Sequence, residues 1–287
     1  MYSYFAIYHS HPCFTYVFLE FTKIIIATGK CCFGDYLNNL ELIDLNGGCS
    51  SYLPEYPISL AGATGIFIDD KIIICGGIDK YMHYHNKCYQ LQHENYSFQL
   101  VYSMKEKRSY AKSILTQSNM LVTGGNKGIN QFIGTAEYIN VQLGNNTAPM
   151  PDIQLPKPTS EHAIIKMNKT TAFLISGVDG TTTKVSNETY YLNIDCNEWK
   201  RGPHLKIARE GHTAGVLIDH ATRTQIVAVV GGWDIHGNYI DSVELLLHGQ
   251  NDWMAGIFIH YFEYFLIQTE FVQFCVGPSL NTGLSDH

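Results

Sequence analysis

A short apolar run that ends in a glycine step recurs five times along this 287-residue chain. The last glycines of these runs lie 48, 48, 52 and 55 residues apart, at Gly29, Gly77, Gly125, Gly177 and Gly232. This period is too long for leucine-rich or ankyrin repeats and is typical of the four-stranded blades of a β-propeller. The spacing therefore predicts five similar units rather than one irregular domain.

Three further landmarks follow the glycine step in a fixed order. An acid–x–apolar–x–apolar strand of period two comes first, beginning at Glu41, Glu137, Glu188 and Glu244, and at Lys87 in the second unit. A large aromatic follows the central apolar residue by nine positions in three units and by seven in the fifth; these are Tyr52, Phe98, Trp199 and Trp253. Ten residues beyond this aromatic, two junctions carry an arginine, Arg108 and Arg209.

Together these landmarks resemble the kelch motif, over about residues 23–254 in five registers. Thr28 and Ser176 depart from it, because they replace the first glycine of the pair. The resemblance implies an all-β, kelch-type β-propeller of about five four-stranded blades around a central channel, either incomplete or closed by terminal strands. The residues that it assigns to the structural repeat are Gly29, Gly76, Gly77, Gly124, Gly125, Gly177, Gly231, Gly232, Trp199, Trp253, Arg108 and Arg209.

Stacked blades also meet the physical needs of such units. A single twisted sheet cannot bury both of its faces, whereas neighbouring sheets can bury a continuous core. We expect Trp199, Trp253, Phe98 and Tyr52 to fill the spaces between blades. Arg209 is expected to donate hydrogen bonds to backbone carbonyls between blades, in a structural role.

The two ends of the chain lie outside the repeat. Residues 1–22 could donate a first strand, Phe14–Leu19, and they lack the basic region and cleavage site of a signal peptide. Residues 255–287 form a divergent apolar tail. The stretch 254–276 is long enough for a membrane helix, but glutamates and a histidine interrupt it, so we expect a tail or blade-completing strands instead.

Composition excludes several classes of protein. Hydrophobic residues make up 45% of the chain, which argues against disorder and coiled coils. A net charge of −7 provides no broad positive field, so nucleic acid is a poor partner. The eight cysteines include no C-x-x-C pair and no zinc-site spacing, so we predict no structural metal.

The compartment stays open between cytoplasmic and extracellular. Four N-x-[ST] sequons would be glycan candidates if the chain is secreted, at Asn95, Asn145, Asn168 and Asn187. In that case Cys75 and Cys88 could bridge neighbouring strands of the second unit. Otherwise Cys75, which lies in an apolar run, is expected to be a small buried hydrophobe.

The search for catalytic chemistry favours a protein that is not an enzyme and holds no cofactor. No G-x-S-x-G elbow, H-E-x-x-H or Walker-type loop occurs. Copper radical oxidases are kelch-like enzymes, and the alternating His83 and His85 could supply metal ligands on one side of an extended strand. A loop with solvated polar side chains is the favoured interpretation of this pair. His162 and His212 occupy positions of the repeat and are expected to be structural.

These observations predict a non-catalytic module that recognises a macromolecule, a protein partner, through loops on one face. The candidate contact residues all follow glycine steps: Tyr36, Tyr81, Tyr84, Phe132, Trp233 and Tyr239. Kelch propellers joined to BTB domains deliver substrates to ubiquitin ligases, so such an adaptor role is an alternative if the chain is a fragment. An extracellular recognition propeller is another, and a copper-dependent oxidase is disfavoured. We expect no small-molecule substrate and no membrane association.

Overall fold

The computed structural model describes residues 15–19, 23–30, 35–44, 51–69, 71–92, 97–117, 119–140, 152–219 and 222–256. All the regular secondary structure in these residues is β-strand, which confirms the all-β prediction. Consequently, no helix in the described ranges has the length and apolar character needed to cross a membrane.

The strands form five antiparallel sheets, each built from consecutive strands of the chain. Sheet 1 contains β1 (Thr15–Leu19), β2 (Lys23–Lys30), β3 (Tyr36–Asp44) and β4 (Ser51–Leu53). Sheet 2 contains β5 (Thr64–Ile68), β6 (Lys71–Cys75), β7 (Lys87–Gln92) and β8 (Ser97–Ser103). Sheet 3 contains β9 (Lys112–Thr116), β10 (Asn119–Thr123), β11 (Thr135–Asn140) and β12 (Ile153–Gln154).

The last two sheets continue this order. Sheet 4 contains β13 (Thr159–Ser160), β14 (Ala163–Lys166), β15 (Thr171–Asp179), β16 (Lys184–Asn193) and β17 (Glu198–Arg201). Here the first strand is split, because β13 and β14 both pair with β15. Sheet 5 contains β18 (Thr213–Ile218), β19 (Gln225–Val230), β20 (Val243–Leu247) and β21 (Met254–Gly256). Every sheet is therefore a meander in which the chain returns beside itself three times.

The glycine step directly follows the second strand in sheets 2, 3 and 5 and lies within it in sheets 1 and 4, and its first residue has a left-handed backbone conformation in every sheet. The first residue of the step has a φ of 69° at Gly76 and 57° at Gly124. Thr28 and Ser176, the two departures from the sequence pattern, hold the same conformation with φ of 49° and 57°. The pairing register of the strand shifts at both positions, as it does at a β-bulge. The bulge is thus kept where the glycine is lost.

A left-handed backbone is strained for a residue other than glycine. Ser176 compensates for this strain with hydrogen bonds. Its hydroxyl contacts the carbonyl oxygens of Ser186 and, at 2.8 Å, Arg209. A β-carbon added at the equivalent Gly76 would lie 2.3 Å from the carbonyl oxygen of Arg108. The position therefore admits either glycine or a small side chain that bonds to this oxygen.

The sheets follow one another with their first strands side by side. β1 contacts β5, β5 contacts β9, β9 contacts β14 and β14 contacts β18. Backbone hydrogen bonds join the starts of these strands: Tyr110 N donates to Gly62 O (2.7 Å), Glu161 N to Tyr110 O (3.1 Å) and Gly211 N to Glu161 O (2.9 Å). Among the described strands, no contact of similar extent joins β18 to β1. The shared core is therefore an arc of five sheets.

Four apolar clusters fill the spaces between successive sheets. Leu40 and Ile74 belong to the cluster between sheets 1 and 2, and Ile73 and Met120 to that between sheets 2 and 3. The remaining two clusters lie between sheets 3 and 4 and between sheets 4 and 5. A fifth cluster, around Leu245, lies on the outer face of sheet 5. Burial on both faces of the inner sheets accounts for their unbroken apolar runs.

Candidate functional site

A connection of seven residues, whose first and last members pair, links the second and third strands of four sheets; residues 31–34 of the first connection lie outside the described ranges. Its first and last residues pair with each other as Lys30 with Tyr36, Ile78 with Tyr84, Asn126 with Phe132, and Trp233 with Tyr239. The last residue is aromatic in every case. We call the segments 30–36, 78–84, 126–132 and 233–239 the aromatic turns. They contain all six candidate contact residues, of which four are now seen to be structurally equivalent.

All four aromatic turns lie on the same face of the arc. Antiparallel pairing places the end of each second strand beside the start of the first, as in the pairs Thr64–Cys75 and Lys112–Thr123. The starts of the first strands are joined by the backbone hydrogen bonds described above. In sheet 1, Leu60 N donates to Leu37 O, so the aromatic turn lies beside the segment that leads into sheet 2. The turns of sheets 1, 2 and 3 are therefore adjacent, and the turn of sheet 5 lies on the same face beyond the β15–β16 hairpin of sheet 4.

An aspartate shapes two of these turns. Asp79 Oδ1 accepts hydrogen bonds from the backbone N–H groups of Tyr81 and His83, both at 2.9 Å. Asp234 Oδ1 accepts equivalent bonds from the N–H groups of His236 and Asn238. Burial alone would raise the pKa of Asp79, but these backbone donors and the His85 side chain lower it. The aspartates therefore stay ionised and hold the turns closed.

Exposure separates the six aromatic residues into two groups. Tyr81 and Tyr239 are 68% and 64% exposed. The others, Tyr36, Tyr84, Phe132 and Trp233, are half-buried. Large aromatic surface thus remains accessible on two turns and lies next to half-buried rings on the same face.

Neighbouring groups hold these rings in place. The Trp233 and Tyr239 ring centroids are 5.6 Å apart. Lysine amino groups lie over two rings, Lys30 at 5.4 Å from the Tyr36 centroid and Lys80 at 5.1 Å from the Tyr81 centroid. These distances are within the range of cation–π attraction. The aromatic turns are therefore an ordered surface that carries both rings and cations.

His83 and His85 converge on an aspartate. His83 Nδ1 lies 3.2 Å and His85 Nε2 3.3 Å from Asp79 Oδ2. Residues 79–83 form a turn closed by the bond from Asp79 N to His83 O, so this pair lies in a loop, as the favoured interpretation holds, and not on an extended strand. Within the described ranges, no group of three His, Cys, Asp or Glu side chains has the geometry of a metal site.

Arg108 and Arg209 each link two neighbouring sheets. The Arg108 carbonyl accepts a hydrogen bond from Gly77 N of sheet 2, while its guanidinium donates to Gly124 O and Thr135 O of sheet 3. The Arg209 carbonyl accepts from Gly177 N, and its guanidinium donates to Gly231 O at 2.9 Å. Both side chains are fully buried. The glycine steps of adjacent sheets are therefore bonded through one residue.

The glutamate that begins the acid–x–apolar strand of the repeat accepts hydrogen bonds from the linker that precedes its sheet. Both carboxylate oxygens of Glu137 accept from Lys105 N at 3.1 Å. Glu244 accepts from Lys206 N and Ile207 N, and pairs with Arg209 Nη2 at 2.8 Å. Burial raises the pKa of Glu137 in spite of these donors.

In sheet 4 the equivalent acid makes different contacts. Glu188 and Asp179 both bind the Lys157 amino group, at 2.6 and 2.8 Å, on the wall of a shallow depression. Hydrogen bonds to Asp179 and Glu188 raise the pKa of Lys157. This junction lacks the arginine of the repeat, so a lysine supplies the cation there.

The buried histidines are structural, as their place in the repeat suggests. His162 Nε2 lies 2.8 Å from Thr123 Oγ1, and burial lowers the pKa of His162 to about 3, with a smaller contribution from Lys112. Burial also lowers the pKa of His212 well below its usual range, and the Arg209 charge adds to this effect. Both imidazoles are therefore neutral at physiological pH.

A repeated asparagine was missed by the sequence analysis. It stands near the start of the third strand, its Nδ2 donates to a linker carbonyl, and its own carbonyl accepts from the same linker residue. The pairs are Asn38 with Tyr56, Asn86 with Met104, and Asn187 with Leu205. Each asparagine follows the last glycine of its unit by nine or ten positions, a regularity that could have revealed it.

The large aromatic residues differ in their burial. Trp253 is 2% exposed, and its Nε1 donates to Pro203 O at 2.9 Å. Trp199 and Phe98 pack against the clusters between sheets but are only partly buried. The Tyr52 side chain, the sequons Asn95 and Asn145, and the tail from residue 257 onward lie outside the described residues.

Comparison with known proteins identifies no relatives. No protein-family model matches the chain. A search of curated proteins likewise gives no match.

Proposed function

We propose that the five sheets are blades of a kelch-type β-propeller, and that this propeller binds a protein partner through the aromatic turns. The propeller assignment is supported by the side-by-side first strands and the apolar clusters between sheets. The bridging roles of Arg108 and Arg209 also support it, because they are the same at two junctions.

The observation that carries the binding proposal is the recurrence of an aromatic side chain at one structural position on one face. Residues that only close a turn are usually small or polar. Tyr239, on the turn of sheet 5, is instead 64% exposed, and Tyr81, on the turn of sheet 2, is 68% exposed. Aromatic anchors dominate the binding energy of many protein interfaces.

The size and charge of the face also suit a protein. A standard interface buries about 800 Å² on each partner, which several adjacent turns together could provide. Lys30 and Lys80 add cations beside the rings, while Asp79 is bound within its own turn. We therefore expect the partner to present apolar surface flanked by acidic residues.

Quantitative capture from the native tissue tests this proposal. The variant Tyr81→Ala/Tyr239→Ala removes the exposed rings, and Leu100→Ala is a matched control, since Leu100 is an exposed apolar residue on the outer strand β8. We expect the double variant to lose the partner while the control retains it. Thermal unfolding of each protein shows whether the fold is intact.

Equal retention of the partner by both folded variants would contradict binding through the aromatic turns. Metal analysis of the same wild-type sample tests the disfavoured alternative. Stoichiometric copper would redirect the interpretation towards an oxidase.

A further inference from the structure

The hairpin between β14 and β15 presents Asn168 at an exposed tip. Asn168, Lys169 and Thr170 are all exposed. Asn168 Oδ1 accepts hydrogen bonds from Thr170 N at 2.9 Å and from Thr170 Oγ1 at 3.2 Å. A backbone N–H can only donate, so this contact identifies the oxygen of the amide. Nδ2 is the other atom of the amide, and within the described residues it makes no hydrogen bond.

Asn187 heads a sequon in the opposite situation. Its Nδ2 donates to Leu205 O at 3.0 Å, and its backbone carbonyl accepts from Leu205 N at 2.9 Å. A sugar on this nitrogen would need the space that the linker occupies. A glycan at Asn187 would therefore compete for space with the linker around Leu205.

A disulfide supplies an independent observation about the compartment. Cys75 on β6 and Cys88 on β7 lie directly opposite each other and are bonded. Both are buried, at 1% and 0% exposure, within the cluster between sheets 2 and 3. Disulfides of this structural kind persist in oxidising compartments and are rare in the cytosol.

We infer that this chain matures in an oxidising secretory compartment and carries an N-linked glycan on Asn168 and none on Asn187. The donor is an oligosaccharide linked to a lipid diphosphate. The Asn168 Nδ2 forms a bond to the anomeric carbon as the bond from that carbon to the phosphate oxygen breaks. The lipid diphosphate leaves with the electron pair, and Nδ2 releases one proton. Thr170 belongs to the acceptor sequence, and its hydroxyl already contacts the amide.

The first experiment examines the protein purified from its source. Chymotrypsin separates the two sequons, because Phe173 lies between them. Enzymatic removal of glycans in heavy-oxygen water converts each occupied asparagine to a mass-labelled aspartate. We expect the label at Asn168 and unmodified Asn187. Alkylation without reductant should leave Cys75 and Cys88 unlabelled, whereas the exposed, free Cys196 should react.

Variants of the full chain, expressed behind a cleavable secretion signal, separate modification from folding. Thr170→Ala should remove the glycan while leaving Asn168 in place. Asn168→Gln should also remove the glycan, without loss of stability. Asn187→Gln should leave the glycan unchanged and lower the unfolding temperature, because the contact with Leu205 is lost.

Three results would overturn the inference. Unmodified Asn168 in folded protein from the source would contradict the glycan assignment. An occupied Asn187 in the same sample would contradict the predicted choice between the two sites. Free thiols at Cys75 and Cys88 in that protein would contradict maturation in an oxidising compartment.

Discussion

Replacing Arg209 should lower the free energy of unfolding, because this residue links sheets 4 and 5. The side chain is fully buried, and it donates to Gly231 O, Ser242 O and the Glu244 carboxylate. Arg209→Met keeps most of the aliphatic volume but leaves Glu244 buried at 2% exposure without its cation. Removing one partner of a buried ion pair typically costs about 3–5 kcal/mol.

The magnitude can be checked by thermal unfolding followed by tryptophan fluorescence. Because roughly 1 kcal/mol corresponds to about 2–4 °C in a domain of this size, we expect the midpoint temperature to fall by about 6–20 °C. Arg201→Met is the matched control. Arg201 also pairs with a glutamate at 2.8 Å, but its side chain is 59% exposed, and exposed pairs contribute at most about 1 kcal/mol.

A double variant tests the reasoning itself. Arg209→Met/Glu244→Gln removes the unpaired charge, so it should be more stable than Arg209→Met alone. If Arg209→Met costs no more than Arg201→Met, the arginine does not link the sheets energetically. The structural role given to both arginines of the repeat would then be refuted.

Two further predictions concern burial and pH. Trp253→Ala should cost about 3–5 kcal/mol in urea unfolding, and more than Trp199→Ala, because Trp253 is buried and Trp199 only partly so. Burial, together with the Glu210 charge, raises the pKa of Glu161 to about 7. The folded state therefore holds a proton that the unfolded state loses, so stability should fall as the pH rises from about 4.5 to about 7. Glu161→Gln should be more stable than wild type at pH 8, by up to about 3 kcal/mol, and equal to it at pH 4; equal unfolding midpoints at pH 8 would contradict this.

Features with a local backbone cause could be predicted from the sequence. A glycine step needs a left-handed residue, so its recurrence located a left-handed position at or near the end of the second strand in every sheet. Thr28 and Ser176 depart from the glycine pattern of the sequence but keep the left-handed backbone conformation, since a small hydroxyl side chain can replace glycine there. The all-β class follows from this repeat.

Features that depend on the neighbouring sheet could not be predicted in the same way. Trp199 and Trp253 occupy similar places in the sequence, but only Trp253 is fully buried, stacked beside Phe173. The aromatic residues were selected singly from loops, whereas their equivalence became visible only through the pairing within each turn. The sequence favours a loop at His83 and His85, but their alternation does not reveal the turn that Asp79 closes within this loop.

Substitutions at the glycine step can show whether the arc of sheets ends at sheet 5. An added β-carbon would lie 2.3 Å from a backbone oxygen of the next linker at Gly76 and 2.2 Å at Gly124. At Gly231, in sheet 5, the nearest atom is 3.7 Å away. Gly76→Ala must therefore displace a neighbouring sheet, whereas Gly231→Ala bears only the strain of its left-handed backbone, on the order of 1–3 kcal/mol.

Gly237 provides the reference for that strain, because it has a φ of 76° and no atom of the described residues lies within 4 Å of an added β-carbon. We expect Gly231→Ala and Gly237→Ala to lower stability equally in urea unfolding, and Gly76→Ala to lower it more. A loss at Gly231 as large as that at Gly76 would show that backbone from outside the described ranges packs against the step of sheet 5. The arc would then continue past sheet 5 in the intact protein, as a closed propeller requires.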